Sequence, residues 1–119
     1  MKRLILSVVA LLSGCSILLV AHYDSNEYGL VNKIRTQAEL KNCTKDGVQT
    51  LYESALELKN YSQYLPYNDL TIKMNTDLFT LVDEIHQKVT LNETYCKLKL
   101  NTITKSAEEI QKVIGGEPR

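Results

Sequence analysis

Apolar residues toward the C-terminus recur at intervals of four and three: Cys96, Leu100, Ile103, Ala107, Ile110 and Ile114. That spacing lines one face of an α-helix and has a heptad-like stride. Upstream, Met74, Leu78, Leu81, Val82, Ile85 and Val89 mark a second helical face. No Gly or Pro interrupts Leu70 to Ile114, so one long helix would satisfy both patterns. The two faces join only with a stutter, however. Thr90-Leu91-Asn92-Glu93 also supplies Thr and Glu at capping-box spacing. One helix and two helices both stay open.

Nearer the middle, Val48, Leu51, Tyr52, Ala55, Leu58 and Tyr61 share a face, followed by Leu65. Asp46 and Gln49 have capping-box spacing at its start. Leu65-Pro66-Tyr67-Asn68-Asp69 breaks the pattern, because Pro66 disfavours helix at Leu65 and Asn68 or Asp69 can cap a new one. A weaker face, Leu30, Ile34, Gln37, Ala38 and Lys41, predicts a helix before Cys43. Gly115 and Gly116 stop the last helix, leaving 115–119 as a frayed tail.

These patterns predict an all-α body over 30–114. It is either an antiparallel helical hairpin with its tip near Pro66 or a small three- to four-helix bundle. Composition agrees. Five Gly, two Pro and no Trp in 119 residues are too few turn formers for a chain of many hairpins. The length suits one small domain. Hydrophobic content of 44% and charged content of 24% are those of a folded chain. Lys plus Arg balances Asp plus Glu at 14 each, which gives no global attraction for nucleic acid.

The first residues change the picture. Met1-Lys2-Arg3 is followed by 18 uncharged residues, Leu4 to Ala21. A run of that length is a membrane-span candidate at the short end of the range. A charged start, an apolar core and small residues before a cut also describe a secretory signal. Here Leu12-Ser13-Gly14-Cys15 resembles the lipobox of bacterial lipoprotein precursors at all four positions, and at a typical distance from the charged start. The resemblance covers about the first 16 residues. It implies a signal peptide over 1–14, cleavage before Cys15, and acyl chains on Cys15, with 15–29 as anchor and tether. Two or more acyl chains hold where one is marginal. Ser16 after the cysteine implies, by the habit of that class, the periplasmic face of the outer membrane.

One feature departs from the class. The chain stays apolar through Ser16-Ile17-Leu18-Leu19-Val20-Ala21, which suits an uncut span over 4–21 in the inner membrane. In that alternative the C-terminal body is still periplasmic, because Lys2 and Arg3 stay inside and the next basic residue is Lys33. The arrangement is similar, in organisation only, to phage spanin subunits. An ordinary cleaved secretory signal is the third option. His22, Tyr23 and Tyr28 follow the apolar run, where amphipathic rings suit the interface or simply a linker. Asp24-Ser25-Asn26-Glu27 reads as a polar tether.

If Cys15 carries lipid, Cys43 and Cys96 remain as a pair, which outside the cytosol is expected to be a disulfide. No CxxC or close His/Cys set suggests a metal, and nothing calls for a cofactor. Asp83, Glu84 and His86 gather acids and an imidazole, but Glu84 points away from the other two on a helix, so a solvated face is expected. Tyr61, Tyr64 and Tyr67 cluster at the expected tip, as a partner-binding surface or as cover for the hairpin end. Asn42, Asn60 and Asn92 head glycosylation-type triplets, expected to be chance matches or helix caps beside a lipobox. The sequence thus points to a non-catalytic envelope protein, anchored to a membrane and acting by contact with an envelope partner. Self-association stays open.

Overall fold

The computed structural model describes residues 23–66, 68–88 and 90–115. They form four α-helices: α1 (Ser25–Glu39), α2 (Lys45–Ser62), α3 (Asp69–His86) and α4 (Glu93–Val113). Short connections make neighbours antiparallel. The helices close into a ring, in which α1 and α3 each pack on both α2 and α4. Of the expected architectures, the four-helix bundle is the one formed. The start of α1, the α2–α3 connection and the end of α4 share one end, here the near end. The α1–α2 and α3–α4 connections share the far end.

Three of the four helices start where a side chain satisfies an orphan backbone N–H. Asp24 Oδ1 accepts from Glu27 N at 2.8 Å, Thr44 Oγ1 from Gly47 N at 3.0 Å, and Asn92 Oδ1 from Tyr95 N at 3.0 Å. Three expectations are corrected here. The cap of α2 is Thr44, two residues ahead of the Asp46–Gln49 spacing. The cap of α4 is Asn92 rather than Thr90. Asp24 to Glu27 is a cap and first turn rather than a tether, so the folded body begins before residue 30. Asn68 stands at the α3 N-cap without a side-chain cap bond; its amide turns inward instead.

The long stretch Leu70 to Ile114 is two helices, broken at 87–92. Every residue of the heptad-like stripe, Cys96 through Ile114, is buried, with at most 1% exposed. The stripe therefore packs inside its own bundle, against α1 and α3. On α3 the buried face is Thr71, Asn75, Leu78, Val82 and Ile85, while Met74 and Leu81 sit at its margin. On α1 it is Glu27, Val31, Ile34 and Ala38. Lys41 does not continue that face. It lies past the helix end with φ of 51°, its N–H bonded to the Ala38 carbonyl. Gly115, with φ of 86°, ends α4 in the left-handed turn that glycine adopts without a Cβ clash.

Candidate functional site

At the far end the α1–α2 connection meets the start of α4. Cys43 and Cys96 come together there with Cα atoms 6.1 Å apart and sulfurs at bonding distance, across 53 positions of sequence. This is the pairing expected from the sequence, in disulfide geometry. Cys96 is fully buried on the α4 stripe, and Cys43 packs against the same core.

A cavity of about 280 Å³ opens beside this pair, between the two connections. His86 is fixed at its rim. The imidazole stacks on Tyr52, with centroids 3.8 Å apart and planes 10° from parallel, and its Nε2 lies 2.7 Å from Gln49 Oε1. An amide oxygen only accepts, so this contact puts the hydrogen on Nε2. The acids grouped with His86 in the sequence go elsewhere. Asp83 accepts from Gln87 Nε2 at 2.6 Å, and Glu84 pairs with Lys99 on α4. The three side chains thus take three separate partners.

At the near end Tyr61 is tied into the bundle. Its hydroxyl donates to the Asp24 carboxylate at 3.0 and 3.1 Å, and accepts from Asn26 Nδ2 at 3.3 Å. Tyr64 points to solvent and is 86% exposed. Tyr67 lies outside the described residues. The tyrosines of the expected tip thus divide, with Tyr61 joining α2 to α1 and Tyr64 free at the surface. Because α1 starts at this end, the connection carrying Tyr64 and Pro66 sits beside the point where the chain enters the bundle. Tyr23 and Tyr28 lie next to each other there, with ring centroids 6.0 Å apart.

Below these residues is a buried polar cluster that the hydrophobic pattern did not reveal. Glu27 on α1 is 0% exposed. Its carboxylate accepts from Asn75 Nδ2 at 2.8 Å and from Asn68 Nδ2 at 3.4 Å. Among the described residues no Lys or Arg pairs with it. Burial pushes its pKa up, against hydrogen bonds from Asn75 and Thr71 that favour the ion, and the neighbouring Asp24 charge adds to the rise. Asn75 Oδ1 is buried with no hydrogen-bond partner. A signal for this cluster was present. Thr71 and Asn75 continue the 3–4 stride of Leu78, Val82 and Ile85, and Glu27 lies three residues after the capping Asp24.

None of the four helices is long and apolar enough to cross a membrane. Leu4–Ala21 and Cys15 lie outside the described residues. Comparison with protein-family models, with curated proteins and with solved structures found no match to this chain.

Proposed function

We propose that the chain is a membrane-anchored envelope lipoprotein, held by acyl chains on Cys15, whose four-helix body works by contact with an envelope partner in a structural, adaptor or exclusion role. The observation that carries this reading is the division of the three cysteines. Cys43 and Cys96 meet each other. That leaves Cys15, which stands where the lipobox resemblance requires a lipidated thiol. A disulfide and a lipid anchor belong to the same non-cytosolic side of a membrane.

The early start of α1 sharpens the geometry of the reading. Only the eight residues Ser16 to Tyr23 separate Cys15 from the Asp24 cap. Fully extended, eight residues span at most about 29 Å. The near end, with Tyr23 and Tyr64, would then face the bilayer. Helices of 15 to 21 residues carry the far end about 22–32 Å outward, and the surface offered to a partner is the disulfide end. The alternative is a retained span over 4–21 that tethers the same helical body, similar in organisation only to phage spanin subunits.

Mass spectrometry of the mature N-terminus tests the proposal. The expected species begins at Cys15 and carries acyl chains. An intact Met1 with an unmodified Cys15 would replace the lipoprotein with a retained span.

A further inference from the structure

The far-end cavity has an apolar wall and a one-signed polar rim. Val48 and Ile85, both buried, and Leu91 form the wall beside the cysteine pair. The polar lining groups are Lys45, Gln49, His86 and Lys88. Among the described residues no carboxylate lines it, although the chain has as many acids as bases. Nearby acids are engaged elsewhere: Asp83 with Gln87, Glu84 with Lys99, and Glu93 with Lys97. Asp46 is exposed and lies outside the lining.

Several of these groups are held in place. His86 is clamped by Tyr52 and Gln49. The Lys88 ammonium lies 5.1 Å from the Tyr95 ring centroid, a cation–π contact. The disulfide geometry joins the α1–α2 connection to α4. Two cations beside a low-dielectric wall focus potential on an anion more strongly than cations on a flat surface do. The volume of about 280 Å³ equals the liquid share of about nine waters. That matches an aliphatic body of roughly six to eight carbons.

We propose that this cavity is a binding site for a small amphiphilic carboxylate, with the anionic head between Lys45 and Lys88 and the aliphatic body against Val48, Ile85 and Leu91. The site is independent of how the chain is anchored. It is unlike a site for a purely polar anion, because half of its lining is apolar, and unlike one for a neutral hydrocarbon, because two lysines are among its lining residues.

Lysine-selective acetylation of the full chain, read by mass spectrometry, tests this with hexanoate as the probe. Hexanoate is expected to slow modification of Lys45 and Lys88 at least threefold and saturably, leaving Lys73 and Lys112 at the opposite end unchanged. Hexanol and acetate, which carry the body or the charge alone, are expected to protect at least tenfold less well at equal concentration. Leu91→Glu, which places a carboxylate in the lining, is expected to abolish protection. Lys88→Gln is expected to weaken protection of Lys45 about tenfold, with the helical circular dichroism unchanged. Equal protection by acetate, uniform protection of all lysines, or none at Lys45 and Lys88 would each overturn the proposal.

Discussion

Glu27 on α1 accepts a hydrogen bond from Asn75 on α3 at 2.8 Å, across the diagonal of the helix ring. These two helices do not pack on each other directly, so this carboxylate–amide pair bridges the near end of the core. A buried charge without a cation is held by hydrogen bonds alone, and its desolvation is costly. With its pKa raised in the fold, Glu27 binds its proton more tightly in the native than in the unfolded state. The linkage then has a definite sign. Its contribution to stability is fully present below the ordinary carboxylate pKa and is lost as pH rises through the raised one. Denaturation midpoints measured from the ordinary carboxylate range upward are expected to show this loss. Glu27→Gln, which keeps the shape and cannot ionise, is expected to flatten the profile and to exceed the native protein in stability above that window. An unchanged slope in the variant would assign the pH dependence to other groups.

Joining Cys43 to Cys96 closes a loop across 53 positions. By chain entropy such a closure is worth about 4 kcal/mol, a large share of the stability of a domain this size. The double variant Cys43→Ser/Cys96→Ser is expected to lose about that much in urea unfolding. Wild-type protein should migrate faster in non-reducing than in reducing electrophoresis. Equal mobility, with both thiols alkylated in denaturant, would show the pair to be unbonded.

Gly47 is set by a close approach. A β-carbon there would lie 2.5 Å from Asn42 Cγ and 2.8 Å from the Asn42 carbonyl oxygen. The Asn42 side chain cannot swing away freely, because its Oδ1 accepts from both Thr44 N and Thr44 Oγ1, and that hydroxyl caps Gly47 N. Replacing Gly by Ala inside a helix ordinarily stabilises by about 1 kcal/mol. Gly47→Ala is expected to do the opposite and cost roughly 1–2 kcal/mol. A raised melting temperature would show that the α1–α2 connection yields without penalty.

On α4, Leu98 and Leu100 are two positions apart and differ in fate. Leu98 is 65% exposed and Leu100 is 1% exposed. Leu100→Ala is expected to cost about 2–5 kcal/mol through lost burial and a residual cavity. Leu98→Ala is expected to stay within about 0.5 kcal/mol of the parent. Comparable losses at both sites would mean that the heptad-like stripe is not the buried face.

The stride of apolar residues by itself determined that this protein is helical, placed the break around Pro66, and singled out the α4 face, because burying one side of a helix requires a repeat near 3.6 residues. The count of three cysteines left Cys43 and Cys96 as the pair once Cys15 is set aside. Tertiary structure decided the rest. Thr71, Asn75 and Glu27 are polar in the sequence, yet they are core positions, since polar groups can be buried once hydrogen bonds satisfy most of them. Asp24 to Glu27 reads as tether until its cap and its cross-core contact are seen. Asp83, Glu84 and His86 are neighbours in sequence but separate because each meets a different helix or turn. Lys45 and Lys88, 43 positions apart, flank one cavity because antiparallel packing brings two connections to the same end. Periodicity reports only which face of a helix is buried; what that face meets is set by the other three helices.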